Sequence, residues 1–198
     1  MKNVLKYAGK LFASYICACL VFFLFYMMVA VIKWPWFQWL LYGGMFAIYA
    51  MLMFLNGRDR AVQDLLYTER REKGDDVSTL AGGPFMRWKG FLSAAIAMIP
   101  VELAAILVLA GAFPSAWGVP VARALQWQFF LFFNYFPAEL NWPLLLFPLS
   151  FVLMVGVGYL CGPKRRQKTL DAIKEHEKLR FAKVGGKKRR KKKRPPRI

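Results

Sequence analysis

Four stretches of the chain are almost entirely apolar. They cover residues 11–32, 36–55, 91–112 and 142–161, and the only charged residue among them is Glu102. Each stretch is long enough to cross about 30 Å of hydrocarbon as a helix, and lipid requires a helix because it cannot satisfy unpaired backbone groups. The pattern therefore predicts an all-α integral membrane protein with four transmembrane helices.

The segment between the second and third spans, residues 56–90, mixes charged and apolar positions. Residues 58–73 are predicted to continue the second span as a helix that ends at Gly74. Arg60 and Asp64 are spaced to meet on one face of this helix. We interpret it as a solvated connector helix, with docking of a partner as the alternative.

The segment between the third and fourth spans, residues 113–141, contains the aromatic run 127–136. This run is too short to cross the membrane and return as two helices. We predict that it lies in the outer interface of the membrane as an aromatic helix, or dips into the bilayer as a re-entrant piece. A lipid- or partner-binding surface and a pore-lining re-entrant loop are the functional alternatives.

Composition excludes two other classes of protein. Apolar residues make up 58% of the 198 residues, aromatic residues 17% and charged residues 20%. An ordinary soluble domain has about 45–50% apolar residues, and a fully disordered chain lacks bulky apolar side chains. The sequence therefore predicts a membrane protein with a basic appendage.

The net charge of +18 is concentrated at one end of the chain. Residues 164–198 hold 17 Lys and Arg and three acidic residues, whereas residues 1–163 are nearly balanced. Basic residues also precede the first span and follow the second, but only Lys33 and Arg123 lie in the other two connections. The positive-inside rule then predicts that both termini are cytoplasmic. The absence of N-glycosylation sequons and of a disulfide framework fits a location in the plasma or inner membrane.

These features predict three parts of the chain. They are a cytoplasmic N-terminus at 1–10, a four-helix membrane domain at 11–163 and a cytoplasmic basic tail at 164–198. A tail helix starting at Arg165 is predicted to end at Gly185-Gly186. The tail then continues with eight consecutive basic residues: Lys187, Lys188, Arg189, Arg190, Lys191, Lys192, Lys193 and Arg194. Because like charges at this density repel each other, the end of the tail is predicted to be disordered when free.

Two polyanions attract such a basic run at the cytoplasmic face. Anionic headgroups contribute about 1 kcal/mol per basic residue, and RNA binds the same side chains through counterion release. The predicted partners beside the bilayer are therefore anionic phospholipids or ribosomal RNA, and a solvated tail that only determines topology is the third interpretation. The last dozen residues are similar in composition to the basic tails of ribosome-binding membrane insertases, although the spans lack the intramembrane arginine of those proteins.

Glu102 is the most informative single residue, two positions after Pro100 and halfway along the third span. A charge near the bilayer centre costs about 3 kcal/mol or more, and the proline removes one backbone donor. We predict that Glu102 faces protein or water, with hydroxyl groups as neighbours. Those hydroxyls belong to Ser14, Tyr15, Tyr26, Tyr49 and Ser150. The site is either a hydrogen-bonded packing carboxyl or the proton or ion site of a small transporter or channel component.

Signatures of enzymes and cofactor sites are missing from the sequence. The chain has no phosphate-binding glycine loop or metalloprotease motif, and its three cysteines and single histidine lack metal-ligand spacing. We therefore predict no cofactor and no metal, and a non-enzymatic anchor or accessory subunit; a membrane-embedded enzyme is the least favoured alternative. Gly43 with Ala47 and Gly158 with Gly162 are spaced for close helix packing, within one chain or in an oligomer.

Overall fold

A computed structural model gives the architecture of the chain. It describes residues 2–78, 80, 82–112, 115–129 and 143–192, without the side chains of 2, 115, 116 and 177–192. The described elements are α1 (Lys2–Val29), α2 (Pro35–Glu72), α3 (Lys89–Leu109), α4 (Ser115–Ala124), a 3-10 turn (Trp127–Phe129) and α5 (Pro143–Lys192). Within those residues the fold is all-helical and contains no strand.

Four of these helices are long and apolar enough to cross a membrane, as the hydrophobic pattern predicts. They are α1, α2, α3 and the part of α5 up to His176. Only 22–39% of the residues in their most apolar windows are buried inside the protein. Large side chains such as Leu24 and Met28, 63% and 74% exposed, therefore point away from the bundle. Such an apolar exterior fits lipid as the surrounding solvent.

The interior face of α1 follows a helical repeat. Leu11, Tyr15, Cys19 and Phe22 are separated by four, four and three residues, and all four are buried. This spacing places them on one stripe of the helix. The Tyr15 ring packs edge-on against Phe151 of α5 with centroids 5.4 Å apart. The stripe therefore joins α1 to the fourth span as well as to its neighbours in sequence.

A short connection joins α1 to α2 in a helical hairpin. Pro35 occupies the first turn of α2, where its missing N–H is not needed. The Gln38 side chain donates from Nε2 to the Ile32 carbonyl oxygen at 2.6 Å. This contact holds the connection against the first turn of the second helix.

The extension of α2 beyond its span is also confirmed. The helix continues to Glu72, and Gly74 ends it with a φ of +78°, a conformation that glycine adopts at little cost. The Asp75 amide donates back to the Arg70 carbonyl at 3.0 Å. A C-terminal cap of this kind satisfies carbonyl groups that the helix leaves open.

Helix boundaries differ from the predictions at both ends of the chain. The helix α1 begins at Lys2, so the helix extends nine residues before the predicted span and ends at Val29, three residues before the span's predicted end. The helix α5 continues to Lys192, past Gly185-Gly186, where the sequence predicts a stop. Glycine lowers helix propensity by about 1 kcal/mol but is compatible with helical angles. The chain divides into two compact units, Met1–Gly162 and Pro163–Ile198.

Candidate functional site

A buried cluster of charges lies at the end of the helical body opposite the α1–α2 hairpin, with Asp64 at its centre. The Asp64 side chain is 0% exposed, and the Lys89 side chain is 1% exposed. Asp64 Oδ2 accepts from Lys89 Nζ at 2.7 Å and from the Tyr159 hydroxyl at 2.8 Å. Asp64 Oδ1 accepts from the Gly83 amide at 2.9 Å and lies 3.4 Å from Arg60 Nε. Four contacts thus stabilise one carboxylate away from solvent.

Local sequence explains how the connection between α2 and α3 reaches this carboxylate. A Cβ on Gly82 would overlap the Gln63 carbonyl oxygen, and a Cβ on Gly83 would lie 2.6 Å from Asn3 Nδ2. At Gly82 the obstacle is backbone, so only glycine lets the chain pass so close to α2. The next residues are tied down as well: Lys89 Nζ donates to the Pro84 carbonyl at 3.2 Å, and the Phe85 amide donates to Thr68 Oγ1 at 3.0 Å.

The cluster also includes α1 and α5, so that all four spanning helices contribute. The Arg60 guanidinium lies 5.0 Å from the centre of the Tyr7 ring, a cation–π distance. The Tyr159 ring stacks on Phe85 with centroids 5.5 Å apart. Because the charged groups are buried and hydrogen-bonded, the cluster is better suited to holding the helices together than to binding and converting a ligand.

The sequence predicts only part of this cluster. The Arg60–Asp64 pair is confirmed, but the interpretation of this helix as a solvated connector is wrong on the face that carries Arg60, Ala61 and Asp64, which are all buried. Lys89 and Tyr159 were missed because their contacts depend on tertiary packing. The usable signal is a Lys at the start of a span, five positions after the proline of a Gly-Gly-Pro turn.

A second polar layer lies inside the membrane-spanning part of the body. Glu102 of α3 is half-buried, and it lies within electrostatic range of the Tyr15 hydroxyl. The same hydroxyl is close to Cys19, Tyr49 and the Gln128 amide. No ion pair joins Glu102 to any residue in the described ranges.

Pro100 does not belong to this layer. The helix α3 continues through Pro100, whose nitrogen cannot donate to the carbonyl one turn earlier. Pro100 is exposed on the surface of the bundle, whereas Val101 is buried. It lines an apolar groove with Trp117 and Val121 of α4. Pro100 and Glu102, which the sequence predicts as one polar site, therefore lie in different surroundings.

The connection from α4 into the 3-10 turn enters the bundle. Cys19 donates its S–H to Gln128 Oε1 at 2.8 Å, and the same sulfur lies 3.3 Å from the Leu125 carbonyl oxygen. Trp127 packs edge-on against Phe23 with ring centroids 5.0 Å apart. Phe129 stacks on Phe147 at 4.4 Å. The turn is thus covered by α1 on one side and by α5 on the other.

The depth of this turn follows from the helix geometry. Cys19 lies ten residues before the end of α1 at Val29, and Phe46, whose ring is 5.6 Å from Phe129, lies eleven residues after Pro35. At 1.5 Å per residue both are about 15 Å from the hairpin, half the thickness of a hydrocarbon core. Residues 127–129 therefore lie well inside the helical body; the rest of the aromatic run, 130–136, lies outside the described residues, and whether the segment is interfacial or re-entrant in a membrane stays a prediction.

The basic run can be located only in part. Lys187, Lys188, Arg189, Arg190, Lys191 and Lys192 belong to the last turns of α5, and only their backbone is described; Lys193 and Arg194 lie outside the described residues. The binding of a polyanion by these residues stays a prediction.

No metal centre is found among the remaining polar groups of the described residues. The residues described contain no group of three or more His, Cys, Asp or Glu that could hold a metal ion. Asp76, which follows α2, forms a local turn: the Ser78 amide donates to Asp76 Oδ1 at 2.9 Å, and the Ser78 hydroxyl donates to Asp76 Oδ2 at 2.9 Å. These two hydrogen bonds lower the pKa of the exposed Asp76 carboxyl below its usual range.

The fold places the chain in the class of multi-pass helical membrane proteins. Comparison with known proteins yields no matching family model, no matching curated protein and no matching solved structure.

Proposed function

We propose that the protein is a non-enzymatic anchor or accessory subunit of a cell-membrane complex, and that its basic tail binds anionic phospholipid headgroups on the cytoplasmic face. The observation that carries the proposal is the charge of the second compact unit, Pro163–Ile198. Its 17 Lys and Arg stand against three acidic residues. Ribosomal RNA is the alternative polyanion.

Support for lipid comes from the position of the first tail charges. Gly162 packs against Ala61 of α2 inside the helical body, and Lys164 and Arg165 follow within one turn. Basic side chains at this position reach the headgroups of the same leaflet. The positive-inside rule supports a cytoplasmic location for this end of the body, because Lys6 and Lys10 of α1 lie there too.

Neutralising the basic run is expected to abolish this binding. The variant is the full chain with Gln at all eight positions of 187–194, and it is reconstituted in nanodiscs of neutral lipid. We expect its affinity for vesicles containing phosphatidylglycerol to fall at least tenfold, with a shallower dependence on salt, because fewer counterions are released. Binding to neutral vesicles and to ribosomes is measured in parallel by flotation.

The matched control exchanges Lys and Arg within 187–194, so that the charge is kept while the sequence changes. It should bind as the natural chain does. Unchanged vesicle binding by the Gln variant would contradict the proposal, and a preference for ribosomes over anionic vesicles would replace lipid by RNA as the partner.

The polar layer around Glu102 favours a second candidate function. We propose, as the alternative, a small transporter or channel component in which Glu102 holds a proton or a monovalent cation. The support is the combination of a carboxyl group at mid-span with Tyr15, Cys19 and Gln128 close to one another in the interior. Ionisable groups at this depth are commonly part of ion pathways.

Replacing Glu102 by Gln should reduce proton or cation flux at least tenfold in proteoliposomes under an imposed potential, because the amide cannot exchange a proton. Flux is followed with an entrapped pH-sensitive or cation-sensitive dye. The control is Glu72→Gln, which changes an exposed carboxyl at the end of α2 and should leave flux unchanged. No flux through the natural chain would exclude this candidate.

A further inference from the structure

A row of largely exposed side chains runs along α3. Its members recur at intervals of three and four residues, and we call them the α3 seam: Leu92, Ala95, Ile99, Glu102, Ile106 and Leu109. Leu92, Ile99 and Ile106 are 51%, 57% and 50% exposed, and Glu102, the one polar member, is half-buried. Alternation of three and four is the spacing by which two helices pack along a common seam. The α3 seam therefore has the geometry of a helix-packing face that is open within this chain.

Glu102 has no polar partner in the seam. No hydrogen bond and no ion pair joins its side chain to another residue in the described part of the chain. The basic residue of α4, Arg123, forms no ion pair with it either. The carboxyl group is therefore open to a partner from outside.

The depth of Glu102 excludes the headgroup region as its surroundings. At 1.5 Å per residue it lies about 20 Å from Lys89 and about 10 Å from Leu109 along α3, well inside a hydrocarbon core of about 30 Å. Lipid chains offer no hydrogen bond at this depth, and ionisable groups in spans face protein or water and pair with one another. The α3 seam therefore indicates contact with a helix of another chain at this position.

Charge complementarity indicates what that helix carries. The four apolar stretches of this chain contain no Lys, Arg or His, so a second copy would bring only another carboxyl group to the seam, and two carboxylates repel each other. A Lys or Arg at the same depth would compensate the charge of Glu102 and donate charge-assisted hydrogen bonds to it.

We propose that the α3 seam is the docking surface for a spanning helix of a different membrane protein, one that carries a single Lys or Arg at the depth of Glu102. The apolar members of the seam pack against that helix, and the buried ion pair fixes its register, as a single polar position does in coiled coils. The inference rests on the first proposed function, that of an accessory subunit, and identifies the kind of partner that the subunit joins.

A synthetic helix serves as the probe. It is a polyleucine peptide of about 20 residues with one Lys at the depth of Glu102, and the reference peptide has Leu there. The full chain, labelled at its C-terminus, is reconstituted in phosphatidylcholine vesicles, and association is measured by energy transfer to labelled peptide. We expect the Lys peptide to bind at least tenfold more tightly than the Leu peptide, and this preference to disappear in Glu102→Gln. Glu102→Lys should instead prefer a peptide with Glu at that position.

Two tryptophan substitutions test the seam itself. Ala95→Trp places a bulky side chain in the seam two turns before Glu102, and it should weaken binding of the Lys peptide at least tenfold although the carboxyl group is unchanged. The matched control is Leu24→Trp, because Leu24 is 63% exposed on α1, outside the seam. This control should bind the Lys peptide as the natural chain does.

Equal binding of the Lys and Leu peptides, or a preference that survives in Glu102→Gln, would overturn the inference. Energy transfer between copies of the chain that needs Glu102 but no peptide would also overturn it, because the seam would then join identical copies. Flotation with anionic vesicles tests the basic tail separately and should give the same result for Glu102→Gln and the natural chain. A failure of tail binding would therefore contradict the proposed binding of lipid without affecting the α3 seam.

Discussion

Replacing Asp64 with asparagine is expected to lower the free energy of unfolding by about 3–5 kcal/mol. Asparagine keeps the shape of the side chain; its Oδ1 can still accept from the Gly83 amide, but the Nδ2 that replaces Oδ2 cannot accept from the Tyr159 hydroxyl or from Lys89 Nζ. It removes the negative charge that compensates Lys89 and Arg60, whose side chains are 1% and 10% exposed. A buried charge left without its counter-charge is costly by this amount. Unfolding by SDS titration in micelles, followed by tryptophan fluorescence, measures the loss.

A second substitution separates charge from packing. The double variant Asp64→Asn with Lys89→Met removes one buried cation together with the carboxylate, so at least half of the lost stability should return. Asp59→Asn is the surface control: Asp59 lies 3.7 Å from Arg58 and its side chain is 55% exposed, and exposed pairs contribute about 0–1 kcal/mol. Equal losses in Asp59→Asn and Asp64→Asn, or strictly additive losses in the double variant, would show that the charge cluster does not hold the helices together.

The spans could be predicted from sequence because a helix that crosses lipid requires apolar side chains along its whole length. Runs of twenty apolar residues satisfy that requirement without reference to tertiary contacts. The Arg60–Asp64 pair could be predicted for a similar reason, since both residues belong to one helix turn. Signals of this local kind located the four spans and the end of α2 at Gly74.

The rest of the two polar layers depends on contacts between distant segments. Asp64 and Tyr159 are 95 residues apart, and Cys19 and Gln128 are 109 residues apart. No periodicity links such positions. The aromatic run illustrates the same limit: its composition suits the membrane interface, but Phe129 pairs with Phe147 and Phe46 in the interior. The amphipathic composition of the aromatic run therefore did not determine how deeply it lies in the protein.

Glycine spacing shows how one local pattern can have two outcomes. Gly43 with Ala47 and Gly158 with Gly162 both have the spacing of close helix contacts. A Cβ on Gly158 would overlap the Phe54 carbonyl oxygen and one on Gly162 would overlap Ala61, whereas a Cβ on Gly43 would meet nothing within 4 Å. Only the second pair lies where two helices, α2 and α5, approach each other. The sequence cannot distinguish the pairs because it does not say which face meets a neighbour.

Alanine substitutions at Gly158 and Gly43 are expected to have opposite signs. Gly158→Ala should lower the free energy of unfolding by about 1–3 kcal/mol, because the new methyl group meets backbone atoms of Phe54 that cannot rotate away. Gly43→Ala should raise it by about 0.5–1 kcal/mol, because alanine loses less conformational entropy in a helix and the position is open. The same SDS titration measures both, and Gly158→Val should be more destabilised than Gly158→Ala.

The Gly158→Ala substitution should also weaken the charge cluster around Asp64, because Gly158 directly precedes Tyr159. Moving α5 away from α2 would withdraw the Tyr159 hydroxyl from Asp64, and Gly57→Ala should act in the same way, since its Cβ would overlap the Val155 carbonyl oxygen from the other helix. In a Gly158→Ala background, Tyr159→Phe should therefore cost less than in the natural chain. Independent, additive losses would mean that close packing and the charge cluster stabilise the body separately, and a stable Gly158→Ala protein would contradict the tight α2–α5 contact itself.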